Sequence, residues 1–532
     1  MSLKDGTAEF GRFVDTETGL TLDLIGMGLD PDAVAALTEG PDAPIAAAHR
    51  EMQALEKGAI KNPDENRRVT HFTDRLHYVD SDVYRHIAQF SERVRTSRDD
   101  ASDLSHIDQV VINGIGGSAL GPQLVQHAIN GPYWNELSVS ARRGYPRLYF
   151  VDNTDSAGIA DLRPVLNLEE TVVVTISKSG GTRETLNNML AFEQLYQTAG
   201  LRFGDHAVAV TMPGSRLDRT AEAEGWLARF PMADSIGGRT SVTNVVGHVP
   251  AALAGVDFAA LLDGARHMDR VTRRGDVAEN PAYQLAVAWY AAGSGRGDRN
   301  MVIVPYADRL LLLGRYLQQL VMESLGKEKD LDGTVVHQGL TVYGNKGGTD
   351  AHAYIQQLND GRDDFFLTFV EVLRDSEEIP LPDGLSMGDY LHAFKTGLLQ
   401  ALTMKGRKVL QIVVENLDEF SLGMLIGLYE RAVAVYAELI HINAFHQPGV
   451  ENYKKLSGKV NDVNHKLRTW IKTLTADWAG TAAEAAADAG CPESVVEVEG
   501  ILAKFAVNAT DIGGRSVTRT LTDGAWHFAV AS

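Results

Sequence analysis

The sequence predicts an α/β protein with two doubly wound parallel-sheet domains, a helical N-terminal arm and a small C-terminal α+β module. Three observations lead there. From Asp108 onward, short apolar β-type runs (VVINGI, RLYFVDN, TVVVTIS, HAVAVTM) alternate with helical patterns, the signature of βαβ units. A second strand-led half opens at Met301 with MVIVPY. Between them, the β-branched run Val172–Ile176 breaks at Ser177-Lys178-Ser179-Gly180-Gly181 into a helix opened by Thr182. The texture places the arm at 1–105, the two α/β domains at 106–265 and 266–475, and the module at 476–532.

The arm starts a helix at Asp30-Pro31, with Asp30 as N-cap and Pro31 in the first helical position, and Ala46 to Lys57 has helical periodicity. It carries no evident chemistry. The first strand of the α/β region ends in Gly114-Ile115-Gly116-Gly117-Ser118-Ala119, which satisfies the dinucleotide pattern G-x-G-x-x-A. The acidic residue expected about 20 positions on is missing, because Asp152 lies much further away. A glycine-serine turn against a sugar or phosphate explains the stretch equally well.

Ser177 to Thr182 has the make-up of an anion cradle. Glycines turn backbone N–H groups toward one point, and a helix start adds unpaired donors with a positive dipole end. Three hydroxyls (Ser177, Ser179, Thr182) and the Lys178 ammonium complete it. An ordinary βα turn, with Thr182 as N-cap and Glu184 in the dipole-favoured first turn, has the same composition. Arg239, after Gly237 and Gly238, could pair with an oxyanion or serve as a structural ion-pair partner. Asp263 to Asn280 is charge-rich and reads as a solvated helix and connection between the halves.

In the second half a long helix is expected from Asp308 to Leu325, with Gly326 as its stop. Leu310, Leu313, Leu317, Leu320 and Val321 form its apolar face. Arg315, Gln319 and Glu323, four apart, line the other side, a stripe that periodicity alone reads as solvated surface. His352 follows a glycine-rich loop, and Pro448 starts a helix bearing Gln447 and Lys454 at its head. In the tail, Asp523-Gly524 between VTRTLT and AWHFAV signals a hairpin. Helices followed by a hairpin imitate a winged helix, but a structural cap suits an acidic chain better.

Composition narrows the function classes. The formal net charge of −20 argues against nucleic acid and anionic membrane surfaces as partners. One cysteine, Cys491, permits no intramolecular disulfide and no cysteine zinc site. His441 and His446 lie five apart and no H-E-x-x-H occurs, so no metal site is expected. The segment MSLKDGTAEFGRF lacks an apolar secretory core and no apolar run approaches spanning length, so a cytoplasmic location is expected.

Taken together in order, GIGGSALGP, SKSGGTRET, GGRTS, QQLVMESLGK, GGTDAHAYIQQL and HQPGVENYKK resemble the glucose-6-phosphate isomerase (phosphoglucose isomerase) family of the sugar isomerase fold superfamily, from about residue 108 to 460. The resemblance implies two sugar isomerase subdomains and interconversion of glucose 6-phosphate and fructose 6-phosphate without metal or organic cofactor. It assigns Ser177, Lys178, Ser179 and Thr182 to the phosphate, Gly117, Ser118 and Gly238 to the sugar, and Gln447 to the phosphate side. Glu323 becomes the base, with Gln319 one turn before it, and Arg239 stabilises the oxyanion. His352, contributed across a homodimer interface and oriented by Glu184, opens the ring with Lys454. Two departures from the family's animal members stand out: glycines at 180 and 181, and Ala119 in place of aspartate. They leave room for another sugar phosphate, such as mannose 6-phosphate. A non-catalytic sugar-phosphate sensor and a dinucleotide dehydrogenase are the alternatives from other classes. The tail resembles that of longer bacterial versions.

Overall fold

The computed structural model describes residues 10–95 and 103–532. The arm begins as expected: the Asp30 carboxylate accepts from the Asp32 N–H, Pro31 opens the helix Pro31–Thr38, and Pro44–Glu56 follows. The arm is not wholly helical. Strands β1 (Arg12–Val14) and β2 (Thr21–Asp23) form an antiparallel hairpin that buries Phe13 and Leu22. Three-residue strands are too short for a period-two pattern to stand out in sequence. Residues 1–9 and 96–102 of the expected arm lie outside the described residues.

The first α/β half holds a parallel sheet of β3 (Gln109–Asn113), β4 (Arg147–Val151), β5 (Thr171–Ile176), β6 (Ala207–Thr211) and β7 (Ala228–Pro231), in the order β4-β3-β5-β6-β7. All six residues of β5 are buried, which explains its unbroken β-branched run: both faces of a parallel sheet are covered. The strand order reverses between β3 and β5. Ligands of open α/β sheets bind outside the carboxyl ends of the strands at such a reversal. The two glycine-rich loops, after Asn113 and after Ile176, leave from those ends.

The second half contributes β8 (Asn300–Tyr306), β9 (Val342–Tyr343), β10 (Phe365–Val372) and β11 (Lys408–Val414), parallel in the order β11-β10-β8-β9. The hairpin β1–β2 extends this sheet, β2 pairing antiparallel to β11 with Ile412 opposite Leu22. A segment remote in sequence thus completes the edge.

Helix α1 (Arg183–Thr198) follows the β5 loop, and α2 (Phe258–Thr272) and α3 (Glu419–Leu439) pack together in the core. The charge-rich reading of the α2 region as solvated is corrected here. Leu261, Leu262, Ala265, Met268 and Val271 bury one face, and Asp269 is fully buried because it has a partner. Arg75 from the arm donates to both its carboxylate oxygens at 2.6 Å and also to Glu430 of α3. Arg431 reaches Glu56 at 2.6 Å and Asp269 at 3.4 Å. Arm, α2 and α3 are therefore joined by one buried ion network, in which burial pushes the Glu430 carboxyl up to about 7. No uninterrupted apolar run reaches spanning length even in α3, which Glu430 and Arg431 break in the middle. Among the described residues α3 is long and apolar enough to cross a membrane, but 94% of its apolar window is buried inside the protein.

The chain divides into two compact units, Met1–His446 and Gln447–Ser532. In the second, helix α4 (Pro448–Thr473) buries Val463, Leu467 and Ile471 in one core with Leu502, Phe505, Phe528 and Val530. That shared core puts the start of this unit well before 476. Ser516–Thr522 and Ala525–Ala531 form the expected hairpin around Asp523 and Gly524, both in the left-handed region, and Trp478–Thr481 adds a third strand.

Arg75→Met removes the cation that two buried carboxylates share, so it should destabilise the protein by about 3–5 kcal/mol. Denaturant titration checks this; a loss below about 1 kcal/mol would show that the network is dispensable.

Candidate active site

The site is assembled in the first unit from four backbone segments, two at the β3 and β5 loops, one after β7 and one after β8. The loop after β3 is pressed against the turn that carries Arg239. A Cβ on Gly117 would lie 2.0 Å from the Gly238 carbonyl oxygen, so only glycine permits this approach. On Gly116 a Cβ would lie 2.9 Å from the Gln319 amide nitrogen, which brings the fourth segment to the same place. Ser118 is half-buried in the same turn, and Gly238 has open space on its Cβ side.

That fourth segment is not the regular helix expected over 308–325. It comprises a 3-10 turn at Asp308–Leu310, a short α-helix at Leu313–Leu317 and a π-helical turn at Gln318–Glu323. π-Turns within helices are concentrated at functional sites. Gly326 ends the helix as expected, its N–H donating to Met322. Arg315 is exposed, but Gln319 and Glu323 are half-buried because the loops of the first half cover them. Periodicity reports the faces of a helix, not what a distant segment lays over one of them.

Arg239 and Glu323 meet at the centre. Nη1 of Arg239 lies 3.6 Å from Glu323 Oε2, and the guanidinium is 7% exposed against 22% for the carboxylate. Nη2 donates to the His446 carbonyl at 3.1 Å and lies 3.5 Å from that of Glu323. Burial lowers the arginine pKa, and the Glu323 carboxylate opposes that shift. Gln319 donates to the same Oε2 at 3.2 Å, leaving Oε1 available to a ligand. A fixed cation beside an oriented carboxylate can move a proton on carbon while stabilising an adjacent oxyanion.

The loop after β5 is braced internally. Ser177 Oγ accepts from the Gly180 N–H at 3.2 Å and lies 3.4 Å from Thr182 Oγ1, while Ser179 Oγ accepts from the Gly181 N–H at 3.1 Å. Gly180 has a φ of +66°, and a Cβ there would sit 2.4 Å from the Leu217 nitrogen. Gly181 has neither restriction, its Cβ position meeting only Ser179 Oγ at 3.6 Å. Thr182 occupies the N-cap of α1, yet its hydroxyl makes no capping bond. The helix start sets its positive dipole end beside the loop hydroxyls. Glu184 is half-buried in that first turn.

Lys178 does something the sequence does not suggest. Its ammonium donates to the backbone carbonyls of Asp234 and Ile236, the latter at 3.2 Å, and lies 3.1 Å from the Asp234 carboxylate. It ties the anion loop to the turn before Arg239. Burial lowers its pKa.

His352 sits on a 3-10 turn whose buried Asp350 accepts from the Asn345 backbone at 2.9 Å and from Tyr354. Its imidazole is exposed. Gln447 and Lys454 belong to the second unit, at the head of α4. Lys327 was not anticipated as a site residue. It is 4% exposed, and its ammonium donates to the Glu323 carbonyl at 2.7 Å. A spacing of four from Glu323 within QQLVMESLGK was the available signal.

The model of the family described as phosphoglucose isomerase matches residues 45–389 and 391–477. A glucose-6-phosphate isomerase of Geobacter sulfurreducens is 45% identical over 508 residues, 93% of each chain. One from Thermosynechococcus vestitus is 48% identical over 447 residues, 82% of each. Among solved structures, a glucose-6-phosphate isomerase of Chlamydia trachomatis superposes with a TM-score of 0.73 at 26% identity, over 85% of this chain and 90% of that one.

Gly117→Ala should push the Gly238 backbone away by roughly 1 Å or more and open the Arg239–Glu323 pair. Misplacement on that scale costs about a hundredfold in turnover. A crystal structure of the variant with the pair still at 3.6 Å would show that the turn absorbs the methyl group elsewhere.

Proposed function

The chain belongs to the phosphoglucose isomerase family and interconverts glucose 6-phosphate and fructose 6-phosphate, and on that premise we propose how its side chains divide the work. The hydroxyls of Ser177, Ser179 and Thr182 and the N-terminal N–H groups of α1 hold the phosphate. Its binding energy, applied away from the reacting carbons, keeps them in register. Lys178 serves this end chiefly as a strut, since its ammonium is engaged by the 234–236 carbonyls. Gly117, Ser118 and Gly238 line the sugar, and Gln447 joins the phosphate side.

The substrate arrives as a closed ring. His352, oriented by Glu184, and Lys454 move protons between the ring oxygen and the anomeric hydroxyl to open it. Glu323 then takes the proton from C2 and returns it to C1, passing through a cis-enediolate. Gln319 holds the carboxylate by one oxygen, and Arg239 stabilises the charge that grows on the enediolate oxygen. The single observation that carries this reading is the 3.6 Å pairing of a nearly buried guanidinium with a half-buried carboxylate already oriented by an amide. No step needs a metal or organic cofactor. The exposed imidazole of His352 supports a homodimer in which each chain lends this residue to its partner's site. Because phosphorylated hexoses are made and used inside the cell, the cytoplasm is the compartment that suits the reaction.

With EDTA present, the purified protein should interconvert the two hexose phosphates in a coupled assay, whereas Glu323→Gln binds substrate but no longer exchanges the C2 proton with solvent. Exchange at the parent rate in that variant removes Glu323 from the base role. For the dimer, mixing inactive Glu323→Gln and His352→Ala chains under conditions that allow subunit exchange should restore activity, because hybrids contain one intact site. No recovery despite verified hybrid formation would place His352 in its own chain's site.

A further inference from the structure

Lys327 lies on the short strand Lys327–Lys329, directly after the π-turn and Gly326. It is 4% exposed, and among the described residues no carboxylate comes within 4.0 Å of its ammonium. Its partner is the backbone carbonyl of Glu323, 2.7 Å away, which Arg239 Nη2 approaches from 3.5 Å. Two cations thus meet at the carbonyl that ends the π-turn. Burying an ammonium without a counter-ion is costly, and packing an apolar chain in its place would stabilise the fold. A costly buried charge beside a reactive group marks a functional residue.

We propose that Lys327 is the positioning residue for the base: its ammonium pins the end of the π-turn, aims the Glu323 carboxylate and adds a second positive charge beside it. This rests on Glu323 as the base. The charged groups acting on Lys327 are Arg239 and Glu323, and it acts in turn on His446, which is paired with Asp64. The strand residue opposite, Gln338, is neutral. Burial, reinforced by Arg239 and opposed by Glu323, brings the Lys327 pKa down to about 7. Between that value and the lysine's ordinary 10.5 the unfolded chain holds the extra proton. The native state is therefore penalised most below pH 7 and less as the pH rises.

The test compares Lys327→Met and Lys327→Arg with the parent enzyme. The Met variant should melt no lower than the parent, with its advantage largest below pH 7. It should lose about tenfold or more in kcat with little change in KM. The acidic limb of its kcat/KM profile should move to higher pH, because the carboxylate has lost a neighbouring cation. The Arg variant should recover much of kcat and restore the limb. An unmoved acidic limb, or a rise in KM that accounts for the whole loss, overturns the proposal. Glu323→Gln reports independently on the base itself. If that variant still exchanges the C2 proton, the base assignment fails whatever the Lys327 variants do.

Discussion

A guanidinium that is 7% exposed and a carboxylate that is 22% exposed, 3.6 Å apart, set the terms for the rest of the structure. Neither group is comfortable there. Arg239 is removed from water, and Glu323, in the proposed role of base, must not be locked into a bidentate pair that would stop it from reaching carbon. A separation longer than an ordinary charge-assisted hydrogen bond meets both demands, but only if something else holds the two groups in place. The scaffold does so by carrying them on different sheets. Arg239 follows β7 of the first sheet and is anchored through the His446 carbonyl. Glu323 follows β8 of the second and is anchored through Gln319 and its own carbonyl. The distance between them is therefore a property of two rigid layers, not of a flexible side-chain contact.

The layers are in turn fixed by groups far from the chemistry. The Arg75 network ties arm, α2 and α3 into one block. Its charges are fully buried on all three elements, so a slip of any element would strand an ion in an apolar interior. Its contribution lies more in specifying one arrangement than in adding net stability. The strut from Lys178 is the local counterpart: it ties the loop after β5 to the turn that carries Arg239.

What could be read from the sequence followed the range of the interactions. β5, the helix start at Asp30-Pro31, the stop at Gly326 and the Asp523-Gly524 hairpin are written in neighbouring residues, and they stand where local chemistry puts them. The motif set also brought out Glu323 and Arg239 as a pair, although each alone looked like surface or structural charge. What stayed hidden depends on contacts across the chain. The hairpin Arg12–Asp23 is strand because β11 is beside it. Asp269 is buried because Arg75 reaches it from the arm. The π-turn places one extra residue in a turn with no compositional mark. Lys327 carries no mark of its own in the sequence, and only the fold shows that it is buried.

The two adjacent glycines of the anion loop have different mutational histories open to them. Gly180 is held by a left-handed backbone and by the Leu217 nitrogen, so that position is closed to every other residue while the loop keeps its shape. Gly181 meets nothing but a serine hydroxyl at ordinary contact distance, on the exposed lip of the same loop. A lineage adapting this enzyme to a bulkier or smaller phosphorylated sugar could write the change at Gly181 in a single step, leaving the cradle's backbone donors undisturbed. The loop's backbone is thus fixed at one glycine and open to a side chain at the next.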